Sequence, residues 1–312
     1  MRIPWIVYPL VFKLCTACVA SHHPTQEAAL GTPRRSAELV AVIDKPGPLK
    51  VETVIAADWK VDRAGLINLD HPRARAAHLE DGAEPVQIFF HVLRHPTRGT
   101  FIIDTGLERA VRDDPDNSVF GGFLVEKAMH REWLEVRLPL GDWLTKEAKP
   151  LQGVLLTHLH LDHIAGLPDL PAGPGVYAGP GETSARAAMN LLGRGITDKA
   201  LQGKPPLSTW GFTPDADGRF QGVIDVLGDG SLWAIWVPGH TPGSTAYLAR
   251  TPDGPVLFTG DTCHTRWGWE NAVEPGSFTS DRPKNAESLA RLKQLVAEHP
   301  AIRVRLGHQE GG

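Results

Sequence analysis

Residues 157–166 read Thr-His-Leu-His-Leu-Asp-His-Ile-Ala-Gly, so four metal-capable side chains, His158, His160, Asp162 and His163, fall within six residues. On an extended segment His158 and His160 point the same way. A turn into helix just after them swings Asp162 and His163 to a neighbouring side. One short segment then offers two ligands to each of two adjacent cations. Burying this many imidazoles and a carboxylate at a strand end is electrostatically costly without a cation. Two ions need more than four donors, and three later positions qualify. His240, Asp261 and His308 each close an apolar run, and each follows a glycine. Glycine permits a tight turn that aims the next side chain off a sheet edge. Mixed imidazole and carboxylate donors suit zinc best, with manganese, iron or cobalt as alternatives. A pair of such cations activates water for attack on a carbonyl or phosphoryl centre.

These seven residues need a scaffold of strand ends. Residues 86–93 and 100–103 form an expected hairpin pair around His95-Pro96-Thr97-Arg98-Gly99. Val154-Leu155-Leu156 reads as a buried strand leading into the histidine motif, and Val176-Tyr177-Ala178 as another. Residues 245–250 and 256–259 flank Thr251-Pro252-Asp253-Gly254, a strong turn signal. Ser280 or Asp281 caps an expected helix with Pro283 in its first turn. Leu289, Leu292, Leu295 and Val296 lie on one face of that helix, and residues 302–306 follow as a last strand. Strands interleaved with a few helices indicate a mixed α/β domain.

Composition narrows the class. The chain has 312 residues, 42% of them apolar, enough to bury a sizeable core. Thirty-two glycines and 26 prolines point to many turns and against a helical bundle. Thirty-two basic against 36 acidic residues, with no Lys/Arg block, argue against nucleic acid as a partner. Three cysteines make no disulfide framework. Residues 3–12 are apolar behind Arg2, and small residues follow Lys13. This reads as a secretory signal over residues 1–20, too short for a stable membrane span. Cys18 after Thr16-Ala17 also resembles a lipoprotein cleavage site, so a lipid anchor there is an alternative. The expected location is periplasmic or extracellular, or cytoplasmic if the segment is no signal. Residues 21–38 read as a polar, Pro-containing linker, and 39–312 as one hydrolase domain.

On the residues quoted above, the chain resembles the metallo-β-lactamase superfamily of metallohydrolases, over about residues 85–308. Phe101-Ile102-Ile103-Asp104-Thr105-Gly106 matches the family's strand and acidic turn ahead of the main motif. The resemblance implies a four-layer αββα sandwich with the site along one edge of two sheets. It assigns His158, His160 and His240 to one ion and Asp162, His163 and His308 to the other, with Asp261 bridging. It implies two Zn2+, a hydroxide shared between them, Asp162 as proton shuttle and Asp104 as a supporting residue. β-Lactamases of this superfamily lack an acidic bridging ligand, so Asp261 argues against antibiotic hydrolysis. The layout is closest to the quorum-quenching N-acyl homoserine lactonases and related ester and organophosphate hydrolases.

The implied reaction is hydrolysis of a lactone or carboxylic ester with an apolar substituent. The alternatives are a phosphotriester or phosphodiester hydrolase, and a glyoxalase II-type thioesterase. In the lactonases a substrate-contacting tyrosine stands three residues after the bridging aspartate. His264 takes that position here, either as proton donor to a leaving alkoxide or as part of the cleft wall. Cys263 reads as a buried, inert thiol. Trp267, Trp269 and Phe278, with Phe120, Phe123, Met129 and Trp133 upstream, form an expected acyl or aryl pocket, a sheet cover or a homodimer contact. Only four residues follow His308, so metal coordination is expected to be its main anchor.

Overall fold

The computed structural model describes residues 19–147, 149–186 and 190–310. Most of the signal-like segment, residues 1–18 with Cys18, lies outside the described residues. In chain order the strands are β1 (Thr25–Glu27), β2 (Thr32–Arg34), β3 (Lys50–Asp62), β4 (Ala83–His95), β5 (Gly99–Ile103), β6 (Glu135–Val136) and β7 (Leu151–Leu155). They continue with β8 (Gly175–Ala178), β9 (Leu207–Thr209), β10 (Val223–Asp225), β11 (Leu232–Trp236), β12 (Thr245–Thr251), β13 (Gly254–Phe258) and β14 (Arg303–Arg305). Two sheets result, with orders β1-β9-β8-β7-β5-β4-β3-β6 and β14-β13-β12-β11-β10-β2.

Side-chain alternation dictates four layers. In β5, Ile102 packs with the helices on the outer face, while Phe101 and Ile103 face the second sheet. In β12, Tyr247 and Ala249 meet that same inner layer, and Ala246 and Leu248 lie on the opposite face. Both faces of the central strands are therefore apolar, which requires cover on both sides. The helix Arg282–Glu298 supplies one outer cover through Leu289, Leu292 and Leu295. The result is the expected αββα sandwich, with three apolar interfaces separating helix, sheet, sheet and helix.

The expected elements fall within a few residues of the observed ones. β4 and β5 form the antiparallel hairpin, closing at His95 opposite Gly99. β12 and β13 pair across a two-residue loop at Pro252-Asp253. Asp281 is the N-cap, its carboxylate accepting from the Lys284 N–H at 3.0 Å. The linker reading of residues 21–38 does not hold. β1 joins the edge of the first sheet beside β9, and β2 joins the second beside β10. Six exposed residues, five of them polar and one a proline, conceal this, because an edge strand of three residues buries almost nothing of its own.

Candidate metal centre

All seven candidate ligands sit at the same end of the two sheets. β7 stops at Leu155, and His160, still extended, is the N-terminal flank of a one-turn helix, Leu161–Ile164. This is the strand-to-helix switch that sends His158 and His160 one way and Asp162 and His163 another. His240 lies in the loop from β11 to β12, Asp261 in the 3-10 turn Gly260–Thr262 after β13, and His308 just past β14. Parallel pairing of β13 with β14 brings these last two side by side.

The side chains converge as two groups sharing one carboxylate. His158, His160, His240 and Asp261 present ligand atoms within 4.8 Å of one another, and so do Asp162, His163, Asp261 and His308. Asp261 Oδ2 lies 3.6 Å from His158 Nε2, 3.5 Å from His240 Nε2, and 3.3 Å from both His163 Nε2 and His308 Nε2. His240 Nε2 is 3.2 Å from His158 Nε2 and 2.9 Å from His160 Nδ1. Zinc–nitrogen bonds of about 2.05 Å in a tetrahedron separate two nitrogens by roughly 3.3 Å, so these spacings are those of ligands around a common ion. The buried His163 Nε2 and Asp261 Oδ1 have no hydrogen-bond partner, although His163 Nε2 faces the two carboxylates. Donor set and spacing both fit divalent transition metals. His160 and Asp162 are only partly buried, so the cluster meets solvent on that side.

The far nitrogens of His163, His308 and His240 are held by the fold. Asp104 Oδ2 accepts from His163 Nδ1 at 2.8 Å, and the same carboxylate accepts the Thr157 N–H at 2.7 Å. His308 Nδ1 donates to the Gln87 carbonyl at 2.9 Å, and His240 Nδ1 meets Thr279 Oγ1 at 3.1 Å. Such contacts set tautomer and ring angle, leaving the inner nitrogen free for a cation. The preceding glycines are required by close approach as well as by turning. A Cβ at Gly239 would stand 2.2 Å from the Asn285 nitrogen, and one at Gly307 2.1 Å from Asp261 Oδ1.

Burial and mutual charge divide the cluster. Burial, reinforced by neighbouring imidazoles, holds His158 and His240 well below the usual histidine range. Burial acts the same way on His163 and His308, but Asp261 and the carboxylates beside it reverse the sign, raising His163 strongly and His308 to about 10. Burial would raise Asp162 and Asp261 too, yet the surrounding imidazoles hold both below the ordinary carboxylate range. One half is thus a neutral imidazole trio and the other a tight set of opposite charges.

Other expectations fare differently. His264 is buried, its Nε2 3.0 Å from Asp261 Oδ2 and its Nδ1 3.2 Å from the Leu66 carbonyl. It packs against the Asp261 carboxylate with 1% of its surface exposed. Cys263 packs in the core under the helix Arg282–Glu298, where burial pushes its thiol up to about 12. Of the seven aromatic and apolar residues expected around a pocket, Trp133 alone lines the groove beside the cluster. That groove, about 730 Å3, is bordered by His308, Trp59, Val86, Trp133 and Leu134. Phe120 is wholly buried, Phe123 is 76% exposed, and Met129, Trp267 and Phe278 pack on the core. The fold itself anchors His308, for which metal coordination was the expected main anchor. Its N–H donates to the His264 carbonyl, its carbonyl accepts from Gln87, and Gln309 binds Glu84 and the Pro85 carbonyl.

Sequence inspection misses Glu182 and Asn285. Glu182 is buried, accepts from Leu159 N, Gly243 N and Thr241 Oγ1, and is pushed by burial to about 7. Nothing in Pro180-Gly181-Glu182 distinguishes it from an exposed turn acid. Asn285 did carry a signal. It lies four residues before Leu289 on the apolar helix face, and its Oδ1 accepts the His240 N–H at 3.1 Å.

Comparison with known proteins agrees with this geometry. The chain is 32% identical over 156 residues to the N-acyl homoserine lactonase AttM of Agrobacterium fabrum, covering 50% of this chain and 57% of that one. It is 29% identical over 224 residues to the AttM lactonase of Azorhizobium caulinodans, covering 72% and 82%. The chain thus spans little more than half of the first relative. The crystal structure of a quorum-quenching N-acyl homoserine lactone lactonase superposes with a TM-score of 0.60 at 18% identity, over 85% of this chain and 93% of that one. Residues 83–308 match the family model described as the metallo-beta-lactamase superfamily, a span running from β4 to the last candidate ligand. The chain belongs to the metallo-beta-lactamase superfamily.

Proposed function

We propose that the protein is a dinuclear, metal-dependent hydrolase of lactones or carboxylic esters carrying an apolar substituent. The convergence of seven ligand atoms into two groups around Asp261 Oδ2 carries this reading. Two zinc ions suit the donors, His158, His160 and His240 holding one and Asp162, His163 and His308 the other, with Asp261 shared. When bound, the cations supply an activated water and polarise the substrate oxygen. Asp162 sits at the open side of the cluster, where its carboxylate can take a proton from water and pass it to the leaving group. His264 holds Asp261 from behind, and the Asp104 carboxylate fixes the ring of His163. The groove beside His308 offers Trp59, Val86, Trp133 and Leu134 to an acyl or aryl substituent. The lactonase names of the relatives support a lactone as the substrate class.

The test is elemental analysis of purified protein together with a panel of substrates. About two ions per chain are expected, with turnover of an aryl ester and an acyl homoserine lactone that chelation abolishes and Zn2+ restores. Preferred turnover of a phosphotriester or a glutathione thioester would overturn the substrate class, and metal-free protein with full activity would overturn the mechanism.

A further inference from the structure

We infer that Glu182 is the positioning residue for the imidazole trio, in a role distinct from that of Asp104, which holds His163 directly and reaches the trio only through the Thr157 hydroxyl beside His158. The inference rests on the reading of the cluster as a dinuclear metal centre. Glu182 lies just beyond β8, on neither segment that carries the trio, and its side chain is enclosed. Its Oε2 accepts from Leu159 N at 2.8 Å, and Leu159 is the residue between His158 and His160. Its Oε1 accepts from Gly243 N at 3.0 Å and from Thr241 Oγ1, and Thr241 follows His240. One carboxylate therefore joins the 158–160 segment to the 240–243 loop, through the N–H between His158 and His160 and through the Thr241 hydroxyl and Gly243 N–H just after His240.

Asp104 grips the His163 ring and both the N–H and the hydroxyl of Thr157. That hydroxyl meets His158 Nδ1 at 3.1 Å, so Asp104 is tied to both halves of the cluster, while Glu182 contacts only the segments that carry the trio. No lysine or arginine pairs with Glu182 among the described residues. A buried carboxylate with no cationic side chain is a costly way to join two loops. A cation held by His158, His160 and His240 would offset that charge. Relative motion of the two loops would pull His240 from His158 and His160 while leaving Asp162, His163 and His308 in place.

The test compares the full-length wild type with E182Q, T241V and D104N, each loaded with Zn2+ or Co2+. Glutamine keeps the shape of Glu182 but turns an NH2 group toward a backbone N–H; Thr241→Val removes one donor and spares the carboxylate. Metal content under chelator competition and the Co2+ absorption spectrum are read. In E182Q one ion should weaken by about 10- to 100-fold while the other holds within about threefold. T241V should act in the same direction and less strongly. The Co2+ spectra left by E182Q and D104N should differ, because Asp104 contacts His163 directly and Glu182 does not. Unchanged affinity for both ions in E182Q overturns the inference alone. So does equal loss of both, which would make Glu182 a general fold support. A wild type that binds no ion overturns the metal reading and this inference with it.

Discussion

Among single residues, His91 shows how far burial governs this protein. It lies between the two sheets with its ring 4.6 Å from that of Phe258, and Nδ1 meets Thr53 Oγ1 at 3.0 Å. Burial first, and then Arg305 and His163, push its pKa down from 6.5 to about 3. The folded chain thus refuses a proton that the unfolded chain accepts below 6.5. Its contribution to stability is complete above that pH and is lost as pH falls toward 3. Between pH 6.5 and 5 the loss is about 2 kcal/mol. Denaturant titrations of wild type and H91Q should therefore converge by about that amount as pH drops to 5; parallel curves would place the acid sensitivity elsewhere. Its burial was legible in the sequence, because Ile88-Phe89-Phe90 and Val92-Leu93 put apolar neighbours on both faces of the strand.

At the scale of elements, the helix Arg282–Glu298 does two separable things. Its apolar face covers the second sheet, and its first turns hold the His240 loop, since Asn285 Oδ1 accepts His240 N while Asn285 Nδ2 donates to the Thr262 carbonyl. Removing the cap with Asp281→Ala should cost about 1 kcal/mol in thermal or denaturant unfolding and leave metal content unchanged. Asn285→Leu should instead strand the buried His240 N–H, costing about 1–3 kcal/mol, and release metal more readily to a chelator. Equal metal retention in both variants would deny the helix its part in the site. The cap and the apolar face were readable from spacing alone. The bond to His240 was not, because it joins residues 45 apart in sequence.

Across the whole molecule, the groove beside His308 joins parts of the chain that no local pattern connects: the ends of β3 and β4, residues 132–135 and the last residues after β14. If it receives the apolar part of the substrate, Trp133→Ala should raise KM for a long acyl chain roughly 10-fold, with kcat and the KM of a short ester nearly unchanged. A loss confined to kcat would place Trp133 elsewhere in the reaction. The same assembly explains why most of the expected pocket residues lie away from the groove. Phe120, Trp267 and Phe278 are apolar residues in turn-rich stretches, and the core claims such side chains before a cleft does.

The identity of the seven clustered donors and the strand-and-glycine settings that hold them were present in the primary chain. Donor chemistry and the two-residue period of a strand act over neighbours, and neighbours are what a sequence displays. Tertiary packing alone placed β1 and β2 on sheet edges, buried Glu182 and His264 behind the site, and chose which aromatics reach the groove. Each of those outcomes depends on which distant segment arrives to exclude water or donate an N–H. Residue type does not encode that.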